Sequence, residues 1–426
     1  MKVLIITYYW PPSGGSGVQR WLKFVKYLQE FGIEPVVYTV EQPNYLIEDV
    51  SLLDEIPTNI KILRQPIWEP NKILSLFKKN KNSESTGFLN PNPSVFGKLL
   101  QYIRANYFIP DARKFWIRPS VKFLKKYVSE NTIDMIITSG PPHSMHLIGL
   151  ELKKQLGVKW ISDFRDPWTE IDYFNQLPLT KKSVEKHQKL EQEVLKNADA
   201  VLVIGETMKE KFQKLSNNIY IITNGFDGSD LKTEEIQLDK NFTITHVGLM
   251  NADRNPKVFW KVISEICNTN ESFLNDLEIK LIGKVAVEVD TSIKQYKLKK
   301  VKKITYRLHE EVQKYQLQSQ VLLLAVNNVP SAKGILTGKV FEYLQAKRPI
   351  LAIGPTDGDL AAVLKETNSG IIINFNDAIK LKETILNLYQ EYKKANLVVA
   401  SKNIEKYHRK ALTEKLSKII KDTILN

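Results

Sequence analysis

The chain has 426 residues, of which 43% are hydrophobic and 25% charged, and 61 Lys and Arg against 47 Asp and Glu give it a net charge of +14. This composition excludes a largely disordered chain, a collagen-like chain and a coiled-coil rod, and the length predicts about two or three domains. A single cysteine, Cys267, excludes an internal disulfide framework or a zinc site built from cysteines, and the positive charge favours an anionic partner.

Short runs of Val, Ile and Leu alternate with helical patterns through the first half of the chain. Runs that are apolar throughout are typical of parallel strands buried on both faces of a sheet. The first run is expected to be a strand and not a signal peptide, because no small-residue cleavage site follows it. The predicted strands cover residues 3–7, 35–40, 135–139, 160–164, 200–204 and 219–223.

Two segments interrupt this alternation. Residues 69–98 are rich in Asn, Ser, Pro and Lys, which predicts a long loop or insertion. Residues 99–127 mix aromatic side chains with Lys and Arg. That mixture has two interpretations: a core helix whose basic face is solvated, or a surface that lies at a membrane interface.

The alternation restarts after the first half, with strands predicted at residues 242–247, 277–282, 304–307, 321–325, 350–353 and 370–373. The sequence therefore predicts two doubly wound α/β domains. Their bounds are residues 1–226 and 241–405, and a polar linker at residues 227–240 joins them. Residues 406–426 are expected to form a helix that packs back on the first domain.

Loops at predicted strand ends carry groups that suit ligand binding, because ligands of open α/β sheets bind outside the carboxyl ends of the strands. Gly14 and Gly15 precede a predicted helix, so the backbone can approach a ligand and the helix N-terminus attracts an anion. His143 and His146 follow another strand and are candidates for proton transfer or phosphate contact.

A third loop holds two carboxylates and a cation together with an indole, in Asp163, Arg165, Asp166 and Trp168. The charges can pair with one another and serve structure alone. Alternatively, they can bind the hydroxyls of an acceptor while Trp168 provides a stacking face for a sugar.

A fourth loop ends at Gly338 and Lys339, which begin a predicted helix. A lysine beside exposed backbone N–H groups at a helix start forms a phosphate site by simple electrostatics. Glu342 follows one turn later, where its carboxylate can accept hydrogen bonds from two ribose hydroxyls.

The order and spacing of these loops resemble those of the family 4 (group 1) retaining glycosyltransferases, in particular bacterial members that build capsule, lipopolysaccharide or exopolysaccharide. The matching segments are residues 9–17, 141–146, 163–168, 223–227 and 338–344. The resemblance implies an α/β fold of GT-B architecture, with two Rossmann-like doubly wound parallel-sheet domains facing a cleft. It also implies a metal-independent hexosyltransferase without a cofactor. Such an enzyme moves sugar from a UDP- or GDP-linked donor to a glycan or lipid-linked acceptor in surface polysaccharide biosynthesis.

The resemblance implies that the nucleotide-sugar donor is held mainly by the C-terminal domain and the acceptor by the N-terminal one. The donor-binding positions are Gly14, Gly15, Gly248, Arg254, Gly338, Lys339 and Glu342, and the acceptor-binding positions are His143, Asp163, Arg165, Asp166 and Trp168. The catalytic set is His146, Arg254 and Lys339. Arg254 and Lys339 stabilise the leaving diphosphate, and His146 contacts the donor sugar or an acceptor hydroxyl.

Two positions depart from the family pattern. Glu342 matches the second glutamate of a Glu-x7-Glu signature, but Gly334 stands where the first glutamate is expected. Leu249 replaces the arginine that often follows the glycine at Gly248, and Arg254 replaces a lysine. These departures keep open a non-catalytic member of the family.

Two other functional interpretations also stay open. A nucleotide-sugar 2-epimerase has the same architecture but needs no acceptor. A nucleic-acid-binding protein would suit the net charge, yet the lysine-rich residues 297–303 are expected to form a solvated helix end before the next strand, with no nucleic-acid motif beside them. The expected location is cytoplasmic, with peripheral attachment to an anionic surface on the inner face of the cytoplasmic membrane.

Overall fold

The computed structural model describes residues 1–43, 45, 48–69, 95–228, 237–305, 307 and 309–425. Most of the predicted loop at residues 69–98 and the middle of the predicted linker at residues 227–240 lie outside these ranges. The chain divides into two compact units. The first joins Met1–Asn224 to Arg409–Asn426, and the second is Gly225–His408.

The first unit is built on a parallel sheet whose strands are apolar runs, as the sequence predicts. Its strands are β1 (Lys2–Ile6), β2 (Glu34–Glu41), β3 (Lys61–Pro66), β4 (Met135–Gly140), β5 (Lys159–Phe164), β6 (Ala200–Val203) and β7 (Ile219–Ile221). They lie in the order β3-β2-β1-β4-β5-β6-β7. The order reverses direction between β1 and β4, so the loops after these two strands diverge and leave a crevice at the sheet's carboxyl edge.

Helices cover both faces of this sheet. They are α1 (Ser16–Leu28), α2 (Val95–Tyr107), α3 (Lys114–Glu130), α4 (Ser144–Leu156), α5 (Lys181–Asn197), α6 (Glu206–Phe212) and α14 (Arg409–Leu425). One core packs α3 to α6 against the sheet. The other packs α1 and α14 against the opposite face, because both helices carry apolar stripes, such as Trp21 and Val25 on α1 and Leu416 and Ile420 on α14.

The second unit repeats this plan with a parallel sheet of its own. Its strands are β8 (Phe242–Val247), β9 (Leu277–Ile282), β10 (Val301–Ile304), β11 (Val321–Ala325), β12 (Ile350–Ile353) and β13 (Gly370–Ile373), in the order β10-β9-β8-β11-β12-β13. The helices are α7 (Lys257–Thr269), α8 (Glu271–Asp276), α9 (Val287–Gln295), α10 (His309–Gln318), α11 (Lys339–Ala346), α12 (Asp359–Thr367) and α13 (Ala378–Lys393). The two units are thus Rossmann-like, and the fold-class prediction of two such parallel-sheet units is confirmed.

The structure corrects three details of the prediction. Strand β3 was missed because charged residues interrupt its short apolar run and because it lies at the sheet edge. The strand predicted at residues 304–307 lies at Val301–Ile304 instead, so part of the lysine-rich segment is strand and not a helix end. Residues 95–98 belong to α2 and not to the predicted loop.

Among the residues that the structure describes, no helix is both long enough and apolar enough to cross a membrane.

Candidate functional site

In the second unit, the strand order reverses between β8 and β11, so the loops after these strands border a crevice. Gly248 directly follows β8, and Lys339 begins α11 after the loop that leaves β11. Lys339 extends over Gly248, because a Cβ built there would lie 2.7 Å from the lysine Cε. Gly248 also has φ of +90°, a conformation that side chains rarely adopt. A glycine is therefore required at position 248 for two reasons: its backbone conformation and the lysine side chain that lies against it.

Two cations meet at the carbonyl of Leu249. The Lys339 ammonium donates to this oxygen at 3.3 Å, and the Arg254 guanidinium donates to it at 2.9 Å. A short helical turn at Ala252–Arg254 holds the arginine, and the Asn251 side chain accepts from its backbone N–H at 2.9 Å. The structure therefore brings Gly248, Arg254 and Lys339 together.

Burial lowers the pKa of Lys339 to about 7, and the charge of Arg254 adds to the effect. Among the described residues, no carboxylate forms an ion pair with Lys339. A lysine that is desolvated beside an arginine gains most from an anion that binds both, because such an anion restores the lost charge stabilisation. Phosphate groups are anions that suit this pair.

The start of α11 supplies fewer free donors than the sequence suggests. The backbone N–H groups of Lys339 and Val340 donate to Thr337, at 3.1 Å to its Oγ1 and 3.3 Å to its carbonyl. In the part of the chain that the structure describes, the N–H groups of residues 336–338, including Gly338, have no acceptor. The open donors therefore precede the helix instead of lying within its first turn.

Glu342 lies one turn into α11 and is half-buried. Its Oε2 accepts a hydrogen bond from Gln316 at 3.2 Å, which leaves its other oxygen available to a ligand. Gly334, where the family pattern has a glutamate, closes the short turn Ala332–Gly334. That position therefore offers no side chain to a sugar.

In the first unit, Gly14 and Gly15 lie at the carboxyl edge between β1 and α1. Gly15 caps α1 with φ of +85°, and nothing lies within 4 Å of the position of a Cβ on it. The restriction at Gly15 is thus one of backbone conformation, and the turn leaves room for a ligand beside it.

Asp163 is fully buried and is contacted by groups of its own unit. Its carboxylate accepts from Arg20 at 2.8 and 3.1 Å, from Trp21 Nε1 at 2.8 Å and from Ser139 at 3.0 Å. These groups, led by Arg20, overcome the effect of burial and lower the pKa of Asp163. Asp163 thus joins β5 to α1, in line with the structural interpretation of this loop, and its role as an acceptor ligand stays a prediction.

Arg165 is likewise occupied by the backbone of its own unit. It donates to the carbonyls of Gly17 at 2.6 Å, Gly140 at 3.4 Å and Pro141. The guanidinium thereby ties the glycine-rich turn to the loop after β4. Arg165 therefore holds these two loops together, and acceptor binding by this residue stays a prediction.

The two histidines form a buried aromatic stack with their neighbours. His143 stacks on Trp168 with ring centroids 4.7 Å apart, and His146 stacks on Phe164 at 4.4 Å. Trp168 is only 2% exposed, and its Nε1 donates to His187. Trp168 is thus buried against His143, and the prediction that it stacks on a sugar gains no support from this burial.

His146 is fully buried and neutral, because burial lowers its pKa to about 3. Its Nδ1 lies 2.9 Å from Thr138 Oγ1, which also accepts a hydrogen bond from Trp160 Nε1. Nε2 faces Gly140 and has no hydrogen-bond partner among the described residues. Buried groups of this kind are uncommon in folded proteins, and this one keeps His146 a candidate for contact with a ligand.

Asp166 is half-buried, whereas the other four predicted acceptor ligands are buried. Burial raises its pKa to about 6, with Asp172 and Asp163 adding to the effect and Arg165 opposing it. A carboxylate with such a pKa can accept a proton from a hydroxyl at neutral pH.

Sequence reasoning missed two residues that shape these sites. Arg20 of α1 was not singled out, because nothing in the local sequence indicates that Asp163 lies beside it. His246 is fully buried on β8 and contacts Lys339. A histidine inside an otherwise apolar and threonine-rich strand is the signal that could have identified it.

No family profile and no curated protein matches this sequence. Solved structures are similar to it in fold. WaaG, a glycosyltransferase involved in lipopolysaccharide biosynthesis, aligns over 98% of this chain and 99% of its own, with 13% identity and a TM-score of 0.58.

Two further structures show the range of this similarity. Anabaena HepE, solved in complex with UDP-glucose, aligns over 99% of this chain and 100% of its own, with 11% identity and a TM-score of 0.59. A Listeria monocytogenes protein described as a UDP-N-acetylglucosamine 2-epimerase aligns over 99% of this chain and 96% of its own, with 12% identity and a TM-score of 0.56. The chain therefore has the GT-B fold, which it shares with glycosyltransferases such as WaaG.

Proposed function

We propose that this protein is a retaining glycosyltransferase that moves a sugar from a nucleotide-diphosphate sugar to a glycan or lipid-linked acceptor in surface polysaccharide biosynthesis. The observation that carries the proposal is the meeting of Arg254 and Lys339 at the Leu249 carbonyl, beside Gly248. The similarity to WaaG and to HepE, which was solved with UDP-glucose, supports a nucleotide sugar as the ligand of this site.

The chemistry follows from charge. Cleavage of the bond between sugar and phosphate develops negative charge on the leaving diphosphate. Arg254 and Lys339 stabilise that charge in a desolvated place, where such an interaction is stronger than in water. We propose that these two cations suffice without a metal ion, and that Glu342 binds the ribose.

In the first unit, we propose that Asp166 receives the proton of the acceptor hydroxyl and that His146 contacts the donor sugar or this hydroxyl. This proposal is supported by the burial of Asp166, which is half-buried, while Asp163, Arg165 and Trp168 are buried and hydrogen-bonded to protein groups.

The decisive experiment is a thermal-shift screen with UDP, GDP, dTDP and CMP and their common sugars, with and without EDTA. A ligand at about 100 times its dissociation constant adds about 2.7 kcal/mol to the free energy of unfolding, which is enough to measure. We expect a shift with UDP or GDP that EDTA does not remove. The absence of any shift would favour a non-catalytic protein.

A nucleotide-sugar 2-epimerase is the second candidate, because the Listeria protein shares the fold. Product analysis separates the two. A transferase consumes the donor in proportion to an added acceptor, whereas an epimerase converts the nucleotide sugar without one.

We also propose that α2 and α3 attach the protein to an anionic membrane surface. Leu99, Tyr102, Ile103 and Tyr107 of α2 are exposed, and Arg118, Lys122, Lys125 and Lys126 are exposed on α3. Exposed aromatic and aliphatic side chains beside basic ones are typical of interfacial binding. A core helix with a solvated basic face remains the alternative.

Liposome flotation with and without anionic lipid tests this attachment. We expect Arg118→Gln, Lys122→Gln and Lys125→Gln together to abolish flotation with anionic vesicles. The matched control removes the same charge from the second unit, with Lys297→Gln, Lys299→Gln and Lys302→Gln. Equal flotation of both triple variants would contradict a role of this surface.

A further inference from the structure

His246 is a fully buried histidine on β8, two residues before Gly248. Its Nδ1 lies 3.1 Å from the carbonyl oxygen of Leu323 on the neighbouring strand β11. Because a carbonyl only accepts, Nδ1 must carry a proton. Burial, together with the charges of Lys339 and Arg254, lowers the pKa of His246 well below its usual value, although the backbone carbonyls of Leu323 and Leu249 favour the charged ring. The ring is therefore neutral, and Nε2 is left as an acceptor.

The lone pair on Nε2 faces the ammonium group of Lys339, with 3.5 Å between the two nitrogens. Lys339 donates a second hydrogen bond to Leu249, so two neutral acceptors hold two of its three N–H groups. The third is available to a ligand. The backbone of Gly248 lies below the lysine and admits no side chain.

The charges around Lys339 make a neutral acceptor necessary. Arg254 lies beside the lysine and disfavours its charge, and Glu342 on α11 favours it. Tyr343, the other titratable group of α11 nearby, keeps its proton because burial raises its pKa. A protonated imidazole at residue 246 would add a third cation to this place, whereas the neutral ring accepts from the ammonium without repelling it.

We propose that His246 is a positioning residue, whose Nε2 accepts a hydrogen bond from Lys339 and holds the ammonium over Gly248 toward a nucleoside diphosphate. The identity of the anion rests on the proposed function. The geometry of the histidine–lysine pair does not.

The first test needs no ligand. Nuclear magnetic resonance of the imidazole nitrogens, in protein labelled with 15N-histidine, reports which nitrogen carries the proton, and His246→Gln assigns the signal. We expect the neutral Nδ1–H form at neutral pH and a shift of the Nε2 resonance in Lys339→Met. A proton on Nε2, or a resonance that Lys339→Met leaves in place, would overturn the inference.

The second test measures the affinities for UDP and GDP by calorimetry between about pH 6.5 and pH 9. His246→Phe keeps a planar ring but removes the acceptor, and His246→Gln restores a donor and an acceptor. At pH 8 we expect about tenfold weaker binding in His246→Phe and recovery of most of it in His246→Gln. The loss of affinity in His246→Phe should grow with pH, because Lys339 without its hydrogen-bond acceptor loses its proton at a lower pH.

Thr243→Val is the matched control. It removes a buried hydrogen bond from Gln320 at the opposite end of β8 and should leave both affinities unchanged. If the loss of affinity in His246→Phe is independent of pH, or equals the loss in His246→Gln, then His246 has only a structural role. If the wild-type protein binds neither UDP nor GDP, the proposed function fails, and the nitrogen resonances still decide on the pair.

Discussion

Gly248 controls the position of Lys339 through its missing side chain. Gly248→Ala introduces a Cβ 2.7 Å from the lysine Cε, so the lysine must move away from Leu249. We expect at least a tenfold loss of affinity for a nucleoside diphosphate, because a charge-assisted hydrogen bond contributes about 1.5–3 kcal/mol. Calorimetric titration with UDP and GDP measures it.

The control for this variant is Gly32→Ala. Gly32 has φ of +75°, yet nothing lies within 4 Å of its Cβ position, so the substitution carries a similar backbone strain without a clash. It should lower stability by about 1–2 kcal/mol and leave nucleotide affinity intact. Equal losses of affinity in both variants would show that strain alone weakens binding.

Asp163 and Asp166 are two carboxylates of one loop with opposite expected effects on stability. Asp163→Asn leaves Arg20 buried beside a neutral amide, and we expect a loss of about 3–5 kcal/mol in the free energy of unfolding. Asp166→Asn replaces a carboxylate whose burial already disfavours its charge, so stability at pH 7 should not fall.

Urea denaturation of both variants measures this difference. A stable Asp163→Asn protein would contradict the structural role of its ion pair with Arg20. Turnover then separates the roles further, because Asp166→Asn is expected to lose transfer activity while it keeps nucleotide affinity.

The meeting of Gly248, Arg254 and Lys339 could be predicted from the sequence, whereas the partners of Asp163 and Trp168 could not. The first three residues follow a strand end or begin a helix, and such positions meet at the carboxyl edge of a sheet whatever the details of packing. Asp163 lies in β5 and Trp168 follows it, but their partners Arg20 and His143 come from other segments of the chain. No local pattern predicts such pairings.

Among the elements, the buried strands and two of the four edge strands, β7 and β13, were predicted from the sequence, whereas β3 was missed and β10 was misplaced. The strands β4 and β11 are buried at every residue, and β7 and β13 also contain apolar runs that are visible in the sequence. The edge strands β3 and β10 carry lysines on accessible positions, and β3 is buried at none of its six residues. Polar residues on the accessible positions leave too few apolar residues to show these two strands.

Helix α14 stabilises the first unit through its contact with the core below α1. Leu416 is fully buried in that core. We expect Leu416→Ala to lower the free energy of unfolding by about 2–5 kcal/mol, because it leaves a cavity. Leu425→Ala, at a residue that is 79% exposed on the same helix, should change it by less than about 0.5 kcal/mol. Urea denaturation measures both, and a neutral Leu416→Ala would show that α14 contributes little.

At the scale of the whole molecule, buried neutral histidines make stability fall with acid. Burial lowers the pKa of His146 to about 3 and of His187 to about 4, and it holds His143 and His246 well below the usual value. Near pH 6.5 the histidines of the unfolded chain bind protons, whereas the buried histidines of the native protein do not. Stability is therefore complete above that pH and is lost as the pH falls below it.

We expect His146 and His187 each to remove about 2 kcal/mol between pH 7 and pH 5. Asp166, with its pKa raised to about 6, works in the opposite direction and offsets part of this loss. Melting temperatures at intervals of half a pH unit measure the sum. A melting temperature that stays level down to pH 5 would show that the histidines are accessible to protons in the native state.

The first unit is discontinuous in the chain, since α14 follows the entire second unit. During synthesis, the ribosome therefore releases residues 1–224 long before the helix that completes their core. Over that interval the apolar face of α1 lacks its partner, while the second unit can fold as one uninterrupted segment. The first unit should thus be the last to complete its fold, although most of it is translated first. Chaperones therefore have the longest time to bind at α1.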